Sequence, residues 1–141
     1  LFSSDPVAAA TCYRKYFCGN THGRWQDTNK PRMYGDMAIG PVSSVICDNV
    51  SLIIFPIAYP KKVHAAQWQG RTDFESSKGH VVDHISFSYD NLADSLERLR
   101  KDGVKVTDEI RSAANGKMTY AFIEGPEKIR IEVIEGRAKK E

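Results

Sequence analysis

Val82-Asp83-His84-Ile85-Ser86-Phe87-Ser88-Tyr89-Asp90-Asn91-Leu92 is the stretch on which the fold turns. From Val82 to Tyr89 the side chains alternate, with Ile85, Phe87 and Tyr89 on one side and His84, Ser86 and Ser88 on the other. That period predicts a short strand with one polar face, and His84 on it. Asn91 then offers a side-chain oxygen to cap a helix running to about Lys101, where Leu92, Leu96 and Leu99 form one apolar stripe. Asp102-Gly103 ends the helix. A Val104–Val106 strand, polar residues through Gly116, a strand over Met118–Glu124, a Gly125-Pro126 turn and a last strand over Ile129–Glu135 follow. The order is strand, helix, three strands.

The same order is legible nearer the start. Leu1–Ser4 reads as a strand and Asp5-Pro6 as helix cap and first helical residue; the helix runs through about Phe17 and stops near Gly19, with Val7, Ala10, Tyr13 and Phe17 on its apolar side. After the polar stretch Asn20–Lys30, strands are expected around Met33–Ile39, Ser43–Cys47 and Val50–Phe55. The expected organisation is a first βαβββ module over residues 1–56, a linker over 57–79 rich in Lys, Gln, Gly and Ser, a second βαβββ module over 80–136, and a polar tail over 137–141. The repeat implies an α+β protein whose two modules are expected to pack or pair about a pseudo-twofold axis.

With 141 residues and 41% hydrophobic content, the chain builds a core of its own. Its 20 basic and 18 acidic residues are interspersed, so no basic stripe is set up for a phosphate backbone, and nucleic acid is not an expected partner. The longest apolar run, Val50–Ala58, is broken by Ser51 and Pro56, far short of the roughly 20 residues of a membrane-spanning helix. Cys12, Cys18 and Cys47 form no CxxC pair and are odd in number, so they read as reduced. A chain opening at Leu1 without an initiator Met fits a removed signal peptide or trimming; cytoplasmic residence is the expectation, with export open.

The run 82–92, the following Leu96, Leu99 and Gly103, and Ala121-Phe122-Ile123-Glu124-Gly125-Pro126 leading into Ile131-Glu132-Val133 resemble the second module of the vicinal-oxygen-chelate superfamily, which includes glyoxalase I, fosfomycin-resistance enzymes and extradiol dioxygenases. Asp5-Pro6 with Tyr13 and Phe17 is similar to the start of the family's first module. The resemblance implies paired βαβββ modules curling into a cup around a divalent metal, a homodimer, and a small substrate that chelates through vicinal oxygens. It also implies metal ligands on the first and last strands of a module. His84 matches the histidine and Glu132 the carboxylate, which would double as the catalytic group. The first-module carboxylate falls among Leu52, Ile53, Ile54 and Phe55, all apolar, and the first-module histidine would stand about three residues ahead of Leu1. The three-ligand His, His, Glu set of fosfomycin-resistance enzymes and extradiol dioxygenases is implied. A second departure is Gly125-Pro126-Glu127-Lys128, where many members have Asp-Pro-Asp-Gly.

Taken alone, a strand histidine is more often half-buried scaffold than ligand. Glu132, between Ile131 and Val133, needs a partner, since an unpaired carboxylate among apolar neighbours is costly. A metal would be one, a distant Lys or Arg another; Arg130 is expected to point away. Imidazole plus carboxylate admits iron, manganese, zinc, nickel or magnesium. His22 and His64 read as solvated, and His80 as too far along the strand to share an ion with His84. Tyr120, with Trp25, Tyr34 and Trp68, is a candidate to line a pocket for an oxygen-rich substrate. Two functions stand side by side: a metal-dependent lyase, isomerase or dioxygenase, and a non-catalytic ligand-sequestering protein resembling bleomycin-resistance proteins.

Overall fold

The computed structural model describes residues 1–19, 30–68, 71, 73–114 and 116–136. The expected polar stretch after Gly19, with His22 and Trp25, and the expected tail over 137–141 lie outside the described residues. Two compact units are present, Leu1–Asp73 and Phe74–Glu141.

In the first unit, β1 (Phe2–Ser3) leads into α1 (Pro6–Tyr13). Asp5 caps the helix through its carboxylate, which accepts from the Ala8 amide at 2.9 Å, and Pro6 holds the first helical position. The buried residues are Pro6, Ala9, Ala10 and Tyr13, whereas Val7 and Phe17 are half-buried. Arg14–Cys18 continue as a π-helical segment to Gly19, whose φ of +61° ends it. The expected strand over Met33–Ile39 folds back on itself at Gly35, with φ +57°, giving the hairpin β2 (Arg32–Tyr34) and β3 (Met37–Gly40). β4 (Ser43–Cys47) and β5 (Val50–Pro56) pair antiparallel, and β1 runs parallel to β5, so the sheet order is β1-β5-β4. α1 packs on β4 and β5. Within the stretch read as a linker, α2 (Ala58–Val63) and α3 (Ala65–Trp68) form, each too short to show a helical hydrophobic period.

The cysteines correct the sequence reading. Cys18, at the end of the π-helical segment, is joined by a disulfide to Cys47 at the end of β4, their Cα atoms 4.3 Å apart, and Cys12 alone stays free. The pairing arises because the helix end and the strand end meet in space, which spacing along the chain does not encode.

The second unit contains β6 (Ile85–Ser88), α4 (Leu92–Lys101), β7 (Val106–Ser112), β8 (Thr119–Glu124) and β9 (Arg130–Glu135), with the sheet order β6-β9-β8-β7. The Asn91 side chain accepts from the Asp94 amide at 3.0 Å, and the Glu135 carboxylate accepts from the Leu92 amide at 2.7 Å, so the first turn of α4 is tied to the sheet. Leu92, Leu96 and Leu99 are 1–2% exposed, and Ala121, Ile123, Ile131 and Val133 are fully buried. Alternation along β8 and β9 places these four on one sheet face and Phe122 and Glu132 on the other. β7 begins later and runs longer than the expected Val104–Val106; as an edge strand it is mostly exposed and carries no apolar alternation. β6 begins at Ile85, three residues after the expected start. A tight turn over Pro126–Lys128 joins β8 to β9, with Glu127 at φ +58° and Lys128 at φ +61°. The overall class is α+β with two βαβββ-like modules.

Candidate metal centre

β9 sets the site. Its register places Glu132 beside Ser86 of β6 and opposite Phe122 of β8, so all three side chains share the sheet face away from α4. The Ser86 hydroxyl donates a short hydrogen bond to Glu132 Oε2. His84 lies one residue ahead of β6, and its Nε2 stands 3.7 Å from Glu132 Oε2. The imidazole meets the Phe122 ring edge to face, centroids 5.4 Å apart. Two donor atoms on one ion bound at about 2.1 Å are separated by about 3.0 Å at a right angle and about 3.4 Å at the tetrahedral angle. A small rotation closes the difference. His84 and Glu132, read as ligands from sequence, are thus brought together by the fold, and the donor set suits a divalent ion at two coordination positions. Among the described residues, no group of three or more His, Cys, Asp or Glu side chains is arranged to hold a metal.

Behind His84 stands a group that the alternation hid. Nδ1 is 2.7 Å from Asp83 Oδ1, which also accepts from Arg130 Nη1 at 2.7 Å. Asp83 Oδ2 accepts from the Gly79 amide. A strand starting at Val82 would have turned Asp83 to the opposite face from His84; because β6 starts at Ile85, both side chains are free to meet. The Gly79 amide, then His84 and Arg130, hold the Asp83 carboxyl well below the usual carboxylate range. These contacts are therefore in place at neutral pH and are lost only as pH falls through that depressed value.

Arg130 corrects a second expectation. Being two residues from Glu132, it lies on the same face of β9; its guanidinium sits 3.4 Å over the Phe122 ring centroid, and Nη2 donates to Asp108 Oδ2 at 3.4 Å. It partners Asp83 and Asp108, while Glu132 is engaged by Ser86 and His84.

Tyr120, also on this face, meets Phe122 edge to face at 5.9 Å. Tyr34 and His64 pack edge-on against Tyr59 in the first unit, and Lys61 sits over the Trp68 ring there. His80 is exposed and its amide closes a turn onto the Ser77 carbonyl.

The first unit repeats the register with different chemistry. Phe2 pairs with Phe55 as Ser88 pairs with Ile134, both pairs parallel. Setting one pair on the other puts Ile53 at the place of Glu132, which narrows the four apolar candidates to one.

Residues 1–133 match the family model described as the Glyoxalase/Bleomycin resistance protein/Dioxygenase superfamily. A lactoylglutathione lyase of Salmonella typhimurium is 39% identical over 59 residues, which is 42% of this chain and 44% of that protein. The match thus spans less than half the length of that relative. A glyoxylase/bleomycin resistance protein/dioxygenase domain from Frankia superposes with a TM-score of 0.61 at 19% identity, covering 96% of this chain and 92% of the other. The genomically encoded fosfomycin resistance protein of Listeria monocytogenes superposes at 0.60 with 12% identity, covering 96% and 88%. At these identities the superpositions speak for the fold. No helix among the described residues is long and apolar enough to cross a membrane.

Proposed function

Because the chain belongs to the glyoxalase/bleomycin resistance protein/dioxygenase superfamily, we propose that it is a divalent-metal enzyme acting on a small substrate that chelates through two neighbouring oxygens. The observation that carries this reading is the approach of His84 Nε2 to 3.7 Å from Glu132 Oε2 on one sheet face. When bound, the ion would supply Lewis acidity to polarise substrate oxygens. The chain's own residues do the rest. His84 and Glu132 would hold the ion; Ser86 orients the Glu132 carboxylate by its hydroxyl; Phe122 packs edge to face against the His84 ring; and Tyr120 offers a ring and a hydroxyl to the substrate. Glu132 is also the group that would accept or return a proton, as a lyase or isomerase requires. The partial likeness to a lactoylglutathione lyase makes a lyase the first activity to assay.

A second reading, a ligand-sequestering protein that needs no metal, draws on Ile53, the apolar counterpart of Glu132. One titration separates the two. Metal-stripped protein is expected to take up Ni²⁺, Zn²⁺, Mn²⁺ or anaerobic Fe²⁺ stoichiometrically in a calorimeter. Heat from none of the four, with an oxygen-chelating hydroxamate still bound by the stripped protein, would transfer the case to the second reading.

A further inference from the structure

A histidine on a loop is a poor ligand unless something fixes its ring, because each free torsion must be frozen when the ion binds. His84 precedes β6, so no sheet ladder fixes it. The fixing comes from residues 77–83 and from the first residue of β9. The Ser77 hydroxyl donates to the Asp83 carbonyl at 2.6 Å and accepts from the Arg130 amide at 2.9 Å, stapling this segment to β9. The Gly79 amide, in a backbone of φ +81° that glycine adopts without strain, binds one Asp83 oxygen, and Arg130 binds the other. Arg130 is itself held on several sides: its side chain is 16% exposed, stacked on Phe122 and shared between Asp83 and Asp108.

We propose that Asp83, clamped by Arg130 and Gly79, is the positioning residue that fixes the His84 ring and selects, for the neutral imidazole, the tautomer with its proton on Nδ1, so that the Nε2 lone pair faces Glu132. The distances decide between the two tautomers. A proton on Nδ1 makes a charge-assisted bond of 2.7 Å to Asp83, whereas a proton on Nε2 would have Glu132 at 3.7 Å, beyond hydrogen-bond range. A carboxylate behind a ring nitrogen is also what a metal-bound imidazole uses to fix its orientation and raise its basicity. Asp83 meets the ring at Nδ1, the nitrogen that does not face Glu132, so it stands behind the ligand pair as a support.

The purpose of this tautomer rests on the reading of His84 and Glu132 as a metal pair, but the tautomer can be measured without metal. Long-range ¹H–¹⁵N spectra of the metal-free, ¹⁵N-labelled chain, recorded where His84 is neutral, should show the proton on Nδ1. Asp83→Asn should move the population toward Nε2–H, and Arg130→Gln, which leaves Asp83 held by the Gly79 amide alone, should give a mixture. Zn²⁺ affinity should fall with the tautomer, by about 10- to 100-fold in Asp83→Asn. A wild-type His84 with its proton on Nε2 overturns the proposal by itself, whether or not Asp83→Asn folds. So does an Asp83→Asn chain with an unchanged tautomer, even if its Zn²⁺ affinity drops, since that leaves Asp83 a merely structural role. Wild type that takes up no Zn²⁺ yet shows the Asp83-dependent tautomer refutes the metal reading and upholds the positioning.

Discussion

His84→Ala is expected to weaken divalent-metal binding by more than about 100-fold, since loss of an outer-shell partner alone typically costs 10- to 100-fold and this change removes a ligand. Glu132→Gln should act as strongly, because it keeps the shape and the Ser86 contact while removing the charge that faces the ion. Neither substitution should disturb folding by much: the His84 side chain is 35% exposed and lies outside the leucine stripe that seats α4, so a stability change within about 1 kcal/mol is expected. Competition against a chromogenic chelator gives the affinities, and urea unfolding gives the control. Wild-type affinity in both variants would remove His84 and Glu132 from the site.

Removing the Cys18–Cys47 bridge is expected to lower stability by about 3.5 kcal/mol, the loop-closure value for a cross-link between residues 29 apart. Both cysteines must be replaced together, because a single serine would leave a second free thiol in addition to Cys12. The comparison is between the oxidised wild type and Cys18→Ser/Cys47→Ser in denaturant, with free-thiol counts taken first. The expected counts are one thiol in the wild type and one in the variant. Three thiols in the native wild type, or a double variant as stable as its parent, would refute a structural bridge.

The second module was readable because its signals are local. Asn91 caps within three residues of itself, Leu92, Leu96 and Leu99 repeat within one helix, and Glu132 stands out between Ile131 and Val133. What escaped the sequence depends on distance or on where a strand begins. Nothing near Cys18 names Cys47 as its partner. Arg130 and Asp83 are 47 positions apart, and their meeting requires that β6 start at Ile85 so that Asp83 escapes the alternation. The Met33–Ile39 segment has the composition of one strand, and only the φ of Gly35 shows that it is two. β7 hides for the opposite reason: an edge strand with most side chains in water has no need of a hydrophobic period. The four apolar candidates in the first module could be reduced to Ile53 only when the parallel pairing of β1 with β5 supplied a register.

The turn before β9 places stability and site order in competition at one codon. Lys128 occupies a left-handed conformation, φ +61°, which disfavours any residue with a Cβ by about 1 kcal/mol and which glycine adopts freely. Its ammonium, however, donates to the Phe74 carbonyl at 3.0 Å, moored to the start of the segment that carries Ser77, Gly79 and Asp83. Selection for heat resistance alone would be drawn to glycine at 128, relaxing the turn and casting off that mooring. Selection for a well-aimed imidazole would keep the lysine and tolerate the twist, so the identity of this residue across natural variants is a record of which pressure has prevailed.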